Sequence, residues 1–256
     1  MAEAPYMHLP EPVFPPLLAG HDVKAPLRPF SHACRQASRG TLGAGDLVWS
    51  RNTSRAECAI VLEPEVPLGT ALQMNALAQV ALADSLGALL PPAVCVWHRW
   101  PGTILVNGAE CGGVVVGLPA TEAGQVPDWM VVGMSLRLVH DDPGKEPGEL
   151  PGQTALAEEG GGEITRTDLL QCYASYLLSW LNTWQEDGFR PIHDSWMARA
   201  EADGKAMEVE HEGTRQVVQV LGLDEEGGLL IRPEAGPARV LPLIEHIEVY
   251  GRELAR

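Results

Sequence analysis

The stretch HRWPGTILVNGAECGGVVVGL, residues 98–118, decides the fold prediction for this 256-residue chain. It holds two apolar runs, TILVNG (103–108) and GGVVVGL (112–118); a turn-forming Pro-Gly pair precedes the first run, and an Asn-Gly pair ends it. Such dipeptides favour tight turns, and Asn-Gly favours a two-residue hairpin. Together with AVCVWHRW (93–100), the stretch predicts a meander of short β-strands.

Further β-rich runs lie on both sides of this meander. Leu47–Ser50 and CAIVLE (58–63) are predicted to form a hairpin through the loop Arg51–Glu57. DWMVVGMSLRLV (128–139) is predicted to be another strand. The Pro-rich residues 1–27 are predicted to be an irregular arm that packs across the domain.

Apolar spacing predicts the helices. Residues 29–39 and 194–202 read as short helices, and 70–90 reads as an amphipathic, Ala-rich one. The clearest pattern covers 165–187, where apolar and aromatic residues recur at i, i+4 and i+7. Thr165 and Asp168 are a candidate capping pair, and Gly188 closes the helix. We expect its aromatic face to pack in the core.

From Lys205 onward, short β runs alternate with tight turns, which predicts a small SH3-like β-barrel. The predicted fold class is therefore α/β (α+β): a mixed β-sheet with flanking helices in residues 1–200, and the barrel in 201–256.

Composition excludes several classes of function. A net charge of −16 disfavours nucleic acid and anionic membranes as partners. No apolar run approaches the roughly 20 residues of a membrane span, and the N-terminus does not resemble a secretory signal. The five cysteines are widely spaced, which is typical of reduced thiols. We therefore expect a cytoplasmic protein.

The basic residues comprise fifteen arginines and only three lysines, Lys24, Lys145 and Lys205. Any mechanism that needs a catalytic lysine must use one of these three. The eight histidines show no metal-ligand spacing, so no metal site is predicted.

Three segments in order resemble the biotin/lipoate protein ligase family, and biotin protein ligases most closely. In residues 98–118, Arg99-Trp100-Pro101 matches the start of a family motif, a basic residue followed by Trp-Pro-Asn-Asp. Gly112-Gly113 matches the small residues of the family's Lys-Leu-Ala-Gly-Ile-Leu. VVGMSLRLV (131–139) is similar to the family's Gly-Ile-Gly-Ile-Asn strand. The long helix, residues 189–200 and the C-terminal β module complete the resemblance.

The resemblance implies an enzyme that joins a small carboxylic acid to ATP as an acyl-adenylate. A lysine of an acceptor protein then attacks this adenylate. Biotin or lipoate and ATP are the implied ligands, and a biotinyl- or lipoyl-acceptor protein is the implied partner. Such chemistry needs fixed positive charge and backbone N–H donors in a pocket that excludes water.

The chain departs from the family in its charged residues. Gly102 and Thr103 stand where the family has Asn-Asp, and Glu110 takes the position of the catalytic lysine. A charge pair about 4 Å apart is worth roughly 4 kcal/mol at an effective dielectric near 20, so this reversal is large. The family's Gly-Arg-Gly-rich loop is replaced by seven residues without glycine, in which Arg51 and Arg55 are candidate anion-binding residues.

The leading hypothesis is a divergent ligase-like protein that keeps a small-molecule pocket and has weak or lost adenylation activity. One alternative is an active biotin ligase that uses a substitute cation such as Arg51, Arg55 or Lys24. A second is an acyltransferase that uses Cys111 as its nucleophile, although Glu110 would raise the pKa of that thiol. A third is a non-catalytic protein that binds an acceptor domain, which the charge of −16 disfavours because such domains are often acidic.

Overall fold

The structure is a computed structural model that describes residues 9–140, 152–201, 206–211, 214–234 and 236–250. Its helices are α1 (Pro29–Ala37), α2 (Leu68–Ala71), α3 (Met74–Leu89), α4 (Arg166–Asp187) and α5 (Arg190–Met197). Its strands are β1 (Ala19–Val23), β2 (Asp46–Ser50), β3 (Arg55–Leu62), β4 (Val96–Arg99), β5 (Thr103–Val106), β6 (Ala109–Pro119), β7 (Met130–Arg137), β8 (Ala206–His211), β9 (Thr214–Leu223), β10 (Leu229–Pro233), β11 (Arg239–Leu241) and β12 (Glu248–Tyr250).

The larger sheet has eight strands of mixed direction. Seven follow the order β1-β2-β3-β7-β6-β5-β4, and β12 pairs with β6 outside this path. The pairs β1–β2 and β6–β12 are parallel, and the other pairs are antiparallel. Helices α3, α4 and α5 pack on one face, while α1 packs on the other. The predicted mixed sheet with flanking helices is thus confirmed.

The predicted meander is β4-β5-β6, three antiparallel strands in sequence. Its second turn is Asn107-Gly108, with φ angles of 49° and 89°. Positive φ at both central residues is what a type I′ hairpin turn requires, and Asn followed by Gly is the pair that adopts it most readily. The local sequence therefore accounts for the register of this hairpin.

Helix α4 begins as predicted. The Thr165 hydroxyl accepts from the Asp168 backbone N–H, and the Asp168 carboxylate accepts from the Thr165 backbone N–H. Tyr173 is fully buried, and Trp180 and Trp184 pack against the core, which confirms the role of the aromatic face. Within the described ranges no helix combines the length and apolar character needed to cross a membrane.

Several predicted boundaries are corrected by long-range contacts. Part of the predicted irregular arm is strand β1, whose backbone pairs with β2. The predicted hairpin loop shortens to residues 51–54, because Arg55 and Ala56 already pair with Arg137 and Leu136 of β7. The helix around 194–202 instead ends at Met197.

The helix predicted over 70–90 is not amphipathic. It begins as the short α2 and continues as α3, in which twelve of sixteen residues are buried. A helix that is apolar all round lies inside the protein, and α3 contacts α4 and α5 as well as the sheet.

The C-terminal region forms a second, antiparallel sheet of four strands in the order β11-β10-β9-β8. The last strand, β12, leaves this sheet and joins the larger one beside β6. A closed SH3-like barrel and a domain boundary at residue 201 stay predictions.

Candidate functional site

The main cavity lies on the α1 face of the larger sheet and has a volume of about 1150 Å³. Strands β3, β6 and β7 form its floor, and residues 24–31 and 50–53 form much of its wall. Among the residues that the structure describes, its charged lining residues are four basic ones, Lys24, Arg28, Arg51 and Arg55, and two acidic ones, Glu57 and Glu248.

Strand pairing arranges the floor residues in three rows, together with their strand partners Arg137 and Ala59, which do not line the cavity. Arg55 pairs with Arg137 in the first row. In the second row Glu57 pairs with Ser135, which in turn pairs with Gly113. In the third row Ala59, Gly133 and Val115 follow, and the Phe30 ring packs against Gly133. Successive rows are two residues apart, which is roughly 7 Å along a strand. The floor thus passes from basic to acidic to apolar.

The position of Arg51 at the wall is fixed by the N-terminal segment. Its guanidinium Nε donates to Asp22 Oδ2 at 2.6 Å, and its Nη2 donates to Glu11. The hydrogen bond to Arg51 lowers the pKa of Asp22, while Asp22 and Glu11 raise the pKa of Arg51. The guanidinium also stacks on Trp49, 5.2 Å from the ring centroid. Arg51 is therefore positioned at the cavity, but its charge is shared with two carboxylates.

Glu110 does not line the cavity, and its carboxylate pairs with Arg137. The Arg137 Nη2 donates to Glu110 Oε1 at 3.1 Å, and its Nη1 donates to the carbonyls of Glu110 and Thr154 at 2.7 and 3.2 Å. The Arg137 side chain is 8% exposed and that of Glu110 is 42% exposed. The Arg137 guanidinium is thus bound to two backbone carbonyls and to the neighbouring Glu110 carboxylate.

Arg137 was not predicted from the sequence, although its position in the strand that resembles the family could have identified it. In the segment Gly133-Met134-Ser135-Leu136-Arg137, the arginine stands where the similar family strand ends in Asn. Residues 110 and 137, the positions that the resemblance assigns to Lys and Asn, meet in space as an ion pair. The acid at the position that the resemblance assigns to the catalytic lysine is therefore paired with an arginine.

Cys111 lies in the core, within the apolar cluster beneath α3 and α4. It is fully buried, and its thiol donates to the Arg137 carbonyl at 3.5 Å. Burial raises the pKa of the thiol to about 12. A neutral thiol without access to a substrate is a poor nucleophile, so the cysteine-dependent alternative is not retained.

The predicted binding residues around Trp100 have structural contacts instead. Arg99 donates two hydrogen bonds to Glu201 at 2.6 and 2.7 Å, and the Trp100 indole N–H donates to the Gly227 carbonyl at 3.1 Å. The Pro101 carbonyl accepts from Asn75 and Gln79 at 2.6 and 2.9 Å. None of Arg99, Trp100, Pro101, Gly102 and Thr103 lines the cavity. They connect the meander to α3 and to the second sheet.

Gly112 and Gly113 are required mainly by close backbone approach. A Cβ at Gly112 would lie 2.0 Å from the Ser135 carbonyl oxygen, and one at Gly113 would lie 2.3 Å from that of Gly102. Of the two, only Gly113 lines the cavity. Of the predicted binding residues, the structure therefore gathers Arg51, Arg55 and Gly113 at one site.

The remaining lining residues come from elements that are distant in sequence. Lys24, which was predicted to fold across from the arm, does line the cavity. Arg28, Phe30, Glu57, Ser135 and Glu248 were not predicted, because no local motif connects them. In the part of the chain that the structure describes, no group of three or more His, Cys, Asp or Glu side chains is arranged to hold a metal ion.

Comparison with known proteins assigns the chain to one family. A model of the biotin/lipoate A/B protein ligase family matches residues 14–198. The chain is 28% identical over 210 residues to the biotin--[acetyl-CoA-carboxylase] ligase of Paracoccus denitrificans, covering 82% of this chain and 85% of that protein.

Solved structures agree. The chain is 35% identical to a biotin protein ligase-like protein of unknown function from Silicibacter sp. TM1040, with a TM-score of 0.82 over 92% of this chain and 98% of that one. Biotin protein ligase from Aquifex aeolicus shares the fold at 17% identity, with a TM-score of 0.65 over 86% of this chain and 94% of that one.

Proposed function

Since this chain belongs to the biotin/lipoate A/B protein ligase family, we propose that its cavity binds a small carboxylic acid while ATP-dependent adenylation is weak or lost. The single observation that carries the proposal is the Glu110–Arg137 ion pair. Where the resemblance implies one lysine that faces the phosphates, this chain has a neutral pair whose arginine is bound to two backbone carbonyls. The position therefore contributes no net charge to the transition state.

The retained binding function rests on the cavity itself. Biotin is the reference ligand because the Paracoccus denitrificans relative is a biotin ligase. Arg55 lies in the first row of the floor, beside the positions that the resemblance assigns to the reacting groups. We propose that it attracts the ligand's carboxylate. The protein acts in the cytoplasm, where its five free cysteines stay reduced.

A second candidate function is a working ligase with substitute cations. It is favoured by the four basic residues of the cavity lining. It is also favoured because Glu110 does not line the cavity and is paired with Arg137. In this case an acceptor protein would be the partner. The segment 51–54 favours the first proposal, because it is short and contains no glycine that would let its backbone curve several N–H groups around pyrophosphate.

Calorimetric binding and ATP–pyrophosphate exchange separate the two functions. We expect the protein to bind biotin and to show exchange near background. Arg55→Ala should weaken biotin binding by about tenfold, because one charge-assisted contact is worth roughly 1.5 kcal/mol. The exposed Arg232 on β10 provides a matched control, and Arg232→Ala should leave binding unchanged. Exchange at the rate of an active ligase would establish the second function, and failure of every small carboxylic acid tested, biotin, lipoate and octanoate among them, to bind would refute both.

A further inference from the structure

The second row of the cavity floor contains a carboxylate, that of Glu57, with few hydrogen-bond donors and no paired positive charge among the described residues. Glu57 Oε1 accepts one hydrogen bond, from the Ser135 hydroxyl at 3.3 Å. Among the described residues no basic side chain forms an ion pair with Glu57, although four basic residues line the same cavity. The Arg51 guanidinium is held by Asp22 and Glu11 instead. Glu57 therefore has capacity to accept further hydrogen bonds.

The surroundings of Glu57 favour a ligand group that covers it. Ser50, on the neighbouring strand β2, and Gly113, across Ser135, line the same cavity, and Ser50 is almost fully buried. Beyond this row the floor becomes apolar at Gly133 and Val115, beneath Phe30. A ligand whose carboxylate lies near Arg55 in the first row would place atoms roughly 7 Å away over Glu57.

Covering Glu57 has different consequences for different ligands. An alkyl tail would displace water from the carboxylate and return no hydrogen bond, which costs several kcal/mol for a charged group. A group that donates N–H hydrogen bonds would replace the lost water. Sites built to accept such bonds discriminate strongly against analogues that lack the donor.

We infer that Glu57 is a specificity-determining residue, and that the ligand is a small carboxylic acid whose distal end donates N–H hydrogen bonds. The inference rests on the proposed function, because it assumes that the cavity binds a carboxylic acid. It narrows the ligand class by excluding acids that end in a saturated hydrocarbon. A cyclic urea and an ammonium group share the required chemistry and differ in charge.

Isothermal titration calorimetry with three acids tests the inference. Biotin carries a neutral cyclic urea, 6-aminohexanoate carries an ammonium group, and octanoate carries neither. We expect biotin, 6-aminohexanoate or both to bind at least tenfold more tightly than octanoate. The ratio of the dissociation constants of biotin and 6-aminohexanoate reports whether the preferred donor is neutral or charged. Glu57→Met should weaken the N–H-bearing acids at least tenfold and strengthen octanoate, which inverts the preference.

Two controls separate specificity from a loss of folding. Glu57→Gln keeps the shape and one acceptor, so it should give an intermediate selectivity. Glu186→Gln on the exposed face of α4 should match the unmodified protein. Equal binding of octanoate and the N–H-bearing acids would overturn the inference and leave the proposed function standing. If none of the three acids binds, both fail.

Discussion

At the scale of single residues, the chemistry of this chain depends on where charge is placed and whether it is paired. Glu110 and Arg137 form an ion pair beside the cavity, whereas Glu57 faces into it with only a hydroxyl partner. The cysteines differ in their exposure to solvent: Cys34, Cys58 and Cys111 are buried, and Cys95 is exposed. Burial raises the pKa of Cys111 to about 12, which keeps its thiol protonated at neutral pH.

Thiol reactivity tests this placement. In the folded protein at pH 8, we expect a disulfide reagent such as DTNB to modify Cys95 rapidly and Cys111 only on unfolding, because the thiolate is the reactive form. Cys95→Ser should remove the rapid phase, and Cys111→Ser should preserve it. A rapid phase that disappears in Cys111→Ser would reinstate the cysteine nucleophile.

At the scale of elements, His98 connects strand β4 to the end of α5. Its Nδ1 lies 3.2 Å from the Trp196 carbonyl, and its backbone N–H donates to the Arg199 carbonyl at 2.7 Å. The ring is buried, and its Nε2 has no hydrogen-bond partner in the described structure. Desolvation lowers the pKa of His98 to about 4, so the folded state favours the neutral ring.

The stability of the fold should therefore depend on His98 in mild acid. Because the folded pKa lies below the unfolded one, the neutral ring's contribution is complete above about pH 6.5 and is lost as the pH falls toward 4. The shift corresponds to roughly 3 kcal/mol at most.

Urea unfolding at pH 7 and pH 4.5 measures this loss. His98→Gln should lose clearly less unfolding free energy between the two pH values than the unmodified protein. His32→Gln, on α1 and outside this contact, should keep the original pH dependence. Equal pH dependence of all three proteins would contradict the assigned role of His98.

The same elements indicate how far sequence reasoning reaches. The Asn107-Gly108 turn and the Thr165–Asp168 capping box were predictable because a few adjacent residues determine them. Strand β1 was not, since its pairing with β2 depends on backbone contacts that leave little trace in its side chains. The same distinction between local sequence and long-range pairing applies to the site residues. Alignment located Glu110, but Glu57 became a floor residue only through the pairing of β3 with β7.

At the scale of the whole molecule, the cavity is assembled from both ends of the chain. Residues 24–31 precede and begin α1, whereas Glu248 arrives on β12 after the chain has passed through the second sheet. Tyr250 on the same strand packs edge-on against Trp129. The C-terminal segment therefore contributes directly to the wall of the site.

Two substitutions would change the net charge of the Glu110–Arg137 pair, beside the cavity, from zero to +1. Glu110→Lys with Arg137→Asn would restore the Lys and Asn that the family resemblance assigns to these positions, and would remove the repulsion that a lysine beside Arg137 would suffer. Arg137→Asn alone serves as the control, because it leaves Glu110 negative and unpaired.

The most direct measurement is biotin-dependent ATP–pyrophosphate exchange by the unmodified protein and by this double variant, with biotin binding measured in parallel. We predict exchange near background in the unmodified protein and at least a tenfold increase in the double variant, since a favourable charge near a phosphate is worth roughly 4 kcal/mol. Robust exchange in the unmodified protein would contradict weak or lost adenylation. No gain in a double variant that still binds biotin would show that the Glu110–Arg137 pair is not what limits the reaction.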